Sequence, residues 1–87
     1  MNIREQYLEN FIKEILKLEN KEGALDFLQG ILTPQELEQL PIRLQIVKKL
    51  KKGEVQRKIA DELGVGIATV TRGSRELRKG RFRNIKV

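Results

Sequence analysis

The 87-residue sequence predicts an all-α fold, a small helical domain built around a helix-turn-helix and assembled as a homodimer. Three observations support this. Apolar residues recur at three- and four-residue steps through most of the chain. After Gly53 a short helical pattern, a glycine-containing turn and a second helical pattern follow one another. A chain of this length buries only about 60–65% of the surface its unfolded form exposes. It has no Cys to add disulfides, so association is the remaining source of stability.

The first helix is expected from Asn2 to about Leu18. Ile3, Tyr7, Phe11, Ile15 and Leu18 form its stripe, and Leu8, Ile12 and Leu16 widen it. So broad a face suits a seam between two chains. Asn20 can cap a second helix carrying Ala24, Leu25, Phe27 and Leu28, with Gly30 as its stop. Thr33-Pro34-Gln35-Glu36 reads as a helix start with a capping box and Pro at the first helical position. From there Leu37, Leu40, Leu44, Val47 and Leu50 make a stripe that ends before Gly53. Pro41 interrupts it and predicts a kink or break, because an interior proline removes one backbone bond and clashes one turn back.

Glu54 to Leu63 reads as the first helix of the helix-turn-helix, with Val55, Ile59, Ala60 and Leu63 facing inward. Gly64-Val65-Gly66 is the turn, and the second helix starts near Ile67. Ile59, Leu63, Val65 and Val70 are expected to fill the corner between the two. The remaining residues carry Arg78, Lys79, Arg81, Arg83 and Lys86 without helical periodicity and read as a frayed basic tail. The expected organisation is a single helical domain over 1–77 and a basic tail over 78–87. Within the domain, residues 1–31 are dimerisation helices, 33–52 a central helix kinked near Pro41, and 54–77 the helix-turn-helix.

Composition narrows the function. No His and no Cys means no imidazole base and no thiol nucleophile, so an enzyme is not expected, and neither is a metal site. Residues 1–41 carry four basic and eight acidic residues, net −4; residues 42–87 carry fourteen and four, net +10. A basic second half predicts a polyanion partner. Arg4 and Glu5 leave no room for a signal-peptide core, and no uncharged stretch approaches the ~20 residues of a membrane span. A cytoplasmic protein is expected.

In a helix-turn-helix the N-terminal residues of the second helix reach base edges. Here they are Ile67, Ala68, Thr69, Thr71 and Arg72, with methyls for a thymine and a hydroxyl for several edges. Gln56 and Arg57 open the first helix at the groove's rim. Ser74, Arg75, Lys79 and the tail can neutralise phosphates, and Lys48, Lys49, Lys51 and Lys52 add charge nearby.

Several of these residues carry a family resemblance. Leu32-Thr-Pro-Gln-Glu-Leu-Glu-Gln-Leu40, Arg43-Leu-Gln-Ile-Val47 and Gly53-Glu54 resemble the central helix of the Trp repressor family. Gln56-Arg57, Glu62-Leu63-Gly64 and Gly66-Ile-Ala-Thr-Val-Thr-Arg-Gly-Ser74 are similar to its helix-turn-helix. The resemblance spans roughly Leu28 to Leu77. It implies an intertwined homodimer that represses transcription at a palindromic operator on double-stranded DNA. It matches Gln56, Arg57, Ile67, Ala68 and Thr71 to groove-facing positions, and Arg43, Lys52, Thr69, Ser74 and Arg75 to positions at or beside phosphates. It further implies an L-tryptophan co-repressor pocket in which Arg43 and Arg72 flank the indole, with Thr33, Thr69 and Gly73 at other pocket positions. The chain departs from the family at Gly30 (a Leu there), Ala60 (a Lys) and Glu76 (a Ser), at Pro41, and in a loop one residue shorter after Glu54. The basic tail stands where the family has its last helix. The expected function is a sequence-specific DNA-binding regulator with L-tryptophan or a similar co-repressor and no required cofactor. A ligand-independent regulator of the same fold and a dimeric protein-interaction adaptor stand as alternatives.

Overall fold

The computed structural model describes residues 2–87. It contains five helices and no strand among them: α1 (Ile3–Leu16), α2 (Lys21–Ile31), α3 (Pro34–Lys51), α4 (Gln56–Leu63) and α5 (Ile67–Arg78). The chain divides into two compact units, one ending at Pro34 and the other Gln35–Val87.

In the N-terminal unit, α1 starts with a capping box. The Asn2 side chain accepts the Glu5 amide at 2.9 Å, and the Glu5 carboxylate accepts the Asn2 amide at 3.3 Å. The Asn-x-x-Glu signal for this lies in the sequence. Asn20 caps α2 as expected, accepting from the Gly23 amide at 2.8 Å. Gly30 is not the stop, because α2 continues to Ile31 and the Leu32 amide still reaches the Leu28 carbonyl. The Phe11 and Phe27 rings pack at 6.1 Å between centroids. Neither helix buries a residue. Tyr7, Leu8, Leu16 and Ile31 stay more than half exposed, so the wide stripe is largely uncovered in the single chain.

In the C-terminal unit, Ile46, Ile59, Ala60 and Val70 form the core, with Ile42, Leu50, Leu63 and Val65 packed around them. The expected corner between α4 and α5 is therefore present. Val55, expected inward, is the N-cap of α4 and 69% exposed. On α3 the buried row is Ile42, Ile46 and Leu50, each four residues from the next, with Val47 beside it. Leu40 and Leu44, expected in the stripe, remain about 40% exposed. Apolar residues thus occupy two faces of α3, and the core uses one. Helix α3 runs without a break through Pro41. Pro34 takes the first helical position, where its missing N–H has no intrahelical partner to lose.

Gly64 ends α4 in the left-handed region at φ 65°, and the Val65 amide returns to the Ala60 carbonyl at 3.0 Å. This reversal aims α5 across α4. Lys49 ties α3 to the same corner, 2.8 Å from Glu62 and 3.5 Å from Glu54. The hydrogen bond to Glu62 holds the Lys49 ammonium above the usual lysine pKa, outweighing the opposing effect of burial. The same bond holds the Glu62 carboxyl below the usual carboxylate value, with the Lys49 and Lys58 charges adding to it.

Among the described residues no helix is long and apolar enough to cross a membrane. None of their carboxylates cluster so as to hold a metal ion.

A depressed carboxylate pKa contributes stability above its unfolded value and loses that contribution as pH falls through the folded one. The raised Lys49 value contributes at neutral pH and is lost only as the solution becomes strongly alkaline. Glu62→Gln should therefore lower the urea midpoint at about pH 7, and the gap to the parent should close by about pH 3. A gap of equal size at both pH values would exclude the pair as a source of pH-dependent stability.

Candidate functional site

Two features of the C-terminal unit carry chemistry: the exposed face of the helix-turn-helix and a cavity between α3 and α5. On the first, Ile67, Ala68 and Thr69 stand exposed in the opening turn of α5, with Arg72 and Arg75 further along the helix. Burying Val70 completely and Ile59 beneath it points these neighbours outward. Gln56 and Arg57 open α4. Thr71 donates its hydroxyl to the Gln56 side-chain carbonyl at 2.9 Å, joining the two helix starts. That bond leaves the Gln56 amide N–H groups free to donate and the Thr71 oxygen free to accept.

Helices α4 and α5 both begin without a side-chain cap. Their opening amides and positive dipole ends therefore lack a neutralising carboxylate or hydroxyl. Ser74 lies partly buried one turn on and accepts a long 3.4 Å bond from Arg78. Lys52 is exposed just beyond α3. Of the ten residues expected at a nucleic acid, the structure joins Gln56 to Thr71 directly and sets Arg57, Ile67, Ala68, Thr69, Arg72, Ser74 and Arg75 on the same two helices. It leaves Lys52 on a separate segment.

The cavity has a volume of about 530 Å³. Leu40, Leu44, Ile46 and Val47 form its apolar side, and Ala68, Thr69, Arg72, Gly73 and Glu76 line it from α5. Arg43 and Arg72 both reach it, and neither guanidinium has an ion-pair partner among the described residues. Two unpaired guanidiniums beside an apolar wall suit a planar ring bearing an anionic group. Four of the five expected ligand positions (Arg43, Thr69, Arg72 and Gly73) line this one cavity, whereas Thr33 belongs to the N-terminal unit. A smaller space of about 150 Å³, lined by Gln39, Ile42, Arg43, Val65 and Thr69, adjoins the same arginine.

Glu76 does not present a bare charge to the cavity. Its carboxylate pairs with Lys79 at 3.4 Å and Arg81 at 3.6 Å. Gly73 has a packing reason: a Cβ there would meet Ile46 Cγ2 at 3.2 Å and Leu50 Cδ1 at 3.4 Å. Glycine therefore lets α5 lie close against α3.

The tail is not frayed, and Arg78 is the last residue of α5. Gly80 takes φ 95°, its amide returns to the Leu77 carbonyl, and the Arg81 amide returns to the Glu76 carbonyl. This closing turn carries Phe82 into the cavity lining. Sequence reasoning passed over Phe82. The available signal was one aromatic among charged residues just after Gly80.

The family model described as Trp repressor protein matches residues 6–84. A Trp operon repressor homolog of Vibrio cholerae is 45% identical over 74 residues, covering 84% of this chain and 69% of that protein. One from Vibrio vulnificus is 56% identical over 52 residues, covering 59% of this chain and 51% of that protein. One from Photobacterium profundum is 48% identical over 62 residues, covering 70% and 58%. The chain thus spans about half the length of the Vibrio vulnificus relative.

Gly73→Val should cost about 1–3 kcal/mol of stability, because its branches press on the buried Ile46. Urea unfolding of the variant measures this. An unchanged midpoint would mean that α3 and α5 separate freely.

Proposed function

The chain belongs to the Trp repressor protein family, and from that premise we propose that it is a transcriptional repressor that binds double-stranded DNA as a homodimer. Each copy reads one half of a palindromic operator, with half-sites about one helical turn apart. The observation that carries this reading is the exposed opening turn of α5, with Ile67 and Ala68 beside the Gln56–Thr71 pair. Methyl groups, an amide donor and a hydroxyl acceptor together supply what base edges in the major groove require. The uncapped starts of α4 and α5 suit phosphate oxygens. Arg57, Arg75, Ser74 and Lys52 add phosphate contacts, supported by the net +10 of residues 42–87.

In this reading residues 1–31 are the dimerisation helices. Support comes from their uncovered apolar face and from the second apolar side of α3. L-Tryptophan is the co-repressor. Its indole lies between Arg43 and Arg72, its carboxylate pairs with a guanidinium, and Thr69 and Gly73 line its bed. The cavity of about 530 Å³ is of the size that holds small ligands. No catalytic step and no metal enters this function, which is exercised on DNA in the cytoplasm.

Fluorescence anisotropy with palindromic operator-like duplexes at physiological salt, with and without L-tryptophan, tests the reading. Selective binding that tightens with L-tryptophan is the expected result. In Thr71→Ala the discrimination between bases should fall by about 1–3 kcal/mol at the position it reads. Selective binding indifferent to L-tryptophan would assign a ligand-independent regulator of the same fold. Affinity without sequence preference that vanishes with added salt would overturn DNA recognition and leave a protein-interaction adaptor.

The dimer has its own test. Leu8 is 59% exposed in the single chain, so Leu8→Glu leaves the chain's own packing nearly intact. Sedimentation equilibrium should find the variant monomeric or far weaker in association. An undisturbed dimer would place the seam elsewhere.

A further inference from the structure

We propose that residues 79–87 form a strap that closes the α3–α5 cavity, with Phe82 as a ligand-binding wall opposite the two arginines. The inference rests on the co-repressor reading above and adds to it a contact and a means of coupling. The strap is tied to both helices that build the cavity. From α3, the Lys51 ammonium donates to the Phe82 carbonyl and, at 2.7 Å, to the Ile85 carbonyl. From α5, Glu76 on the cavity wall pairs with Lys79 at 3.4 Å and Arg81 at 3.6 Å. The closing turn at Gly80 sets the direction of return.

Phe82 itself adopts φ 65°, the positive-φ residue that is not glycine among those described. A bulky side chain holds this conformation only where its surroundings impose it. Here Lys51 does so, gripping the carbonyl on either side of the short turn from Phe82 to Ile85. Phe82 is 39% exposed and lines the cavity with Arg43, Arg72 and Leu44. It is therefore partly open to a ligand in that cavity. An aromatic amino acid held between the guanidiniums would set the edge of its ring against Phe82.

Because the strap is anchored on both walls, a ligand that packs on Phe82 must also stabilise the strap, by the same factor with which the strap tightens the ligand. Arg81, Arg83 and Lys86 travel with it and are all exposed. Occupying the cavity thus orders Arg83 and Lys86 as cations that can face DNA phosphates, with Arg81 held at Glu76.

The chain has no Trp, so L-tryptophan supplies all the indole emission, and the rise in its anisotropy as protein is added reports binding. Titrations would use the full chain, Phe82→Ala, Phe82→Tyr and Lys51→Met. We expect about tenfold weaker binding for Phe82→Ala and near-parental binding for Phe82→Tyr. A comparable loss is expected for Lys51→Met, whose substituted side chain lies outside the cavity lining. Limited trypsin cleavage at Arg81 and Arg83 should be slow in the parent, faster in Lys51→Met, and slower still with saturating L-tryptophan. Parental binding in Phe82→Ala would overturn the wall. Cleavage indifferent to both Lys51→Met and L-tryptophan would overturn the strap. A parent chain that binds no L-tryptophan would overturn the co-repressor reading and with it the ligand contact of Phe82. Binding by the parent equal to that of Phe82→Ala would overturn Phe82 alone, so the two failures are distinguishable.

Discussion

The corner where Ile46 of α3 meets Ile59 and Ala60 of α4 and Val70 of α5 is the constraint on which the rest of the C-terminal unit depends. Ile59 and Val70 are completely buried, and the small side chain at Ala60 lets the two short helices close on α3. Once Val70 is committed inward, the pitch of α5 sends its neighbours outward, and Thr71 comes within bonding distance of Gln56. The same commitment sets Arg72 and Thr69 along the cavity, facing Arg43 from α3. One small apolar cluster therefore positions both the surface proposed to meet DNA and the cavity proposed to hold a ligand. In the proposed function, a ligand that alters the separation of α3 and α5 acts on the mount of the helix that meets DNA, which is the physical requirement for coupling two sites.

That core is small, and the remainder of the chain shows what it leaves unsatisfied. The helices α1 and α2 bury no residue fully, and α3 turns a second apolar side, with Leu40 and Leu44, away from the core. Each exposed apolar side chain forgoes about 25 cal/mol per Å² that burial would supply. A single 87-residue chain without disulfides has few other reserves. The uncovered stripe and the small core are two sides of one problem, and the proposed association with a second copy is an answer to both.

Charge is arranged as economically. The net +10 of residues 42–87 does not leave the corner unbalanced, because Lys49 is held by Glu62 and Glu54, and Glu76 takes Lys79 and Arg81. Arg43 and Arg72 keep no such partner among the described residues, and they are the two cations that meet at the cavity. The last residues, instead of trailing into solvent, return to α3 through Lys51.

Much of this was legible in the sequence. Helical spacing, the Asn20 cap, the Thr33-Pro34 start and the Gly64 turn are local signals. They depend on backbone geometry and hydrogen bonds within a few residues, so they read correctly one residue at a time. The run from Gly66 to Ser74 likewise carried the family. Other features needed the folded chain. Gly30 lies inside α2 because nothing at that point requires a left-handed residue. Val55 faces solvent because it is the N-cap ahead of α4, and the residues of that helix that reach the core, Ile59 and Ala60, lie a turn further on. Ile46, not Leu40 or Leu44, is buried because the α4–α5 pair meets one side of a helix that is apolar on two. The place of Phe82 in the cavity rests on Lys51, thirty-one residues earlier in the chain. Periodicity specifies which residues share a face, but only the meeting of distant segments decides which face is covered and by what.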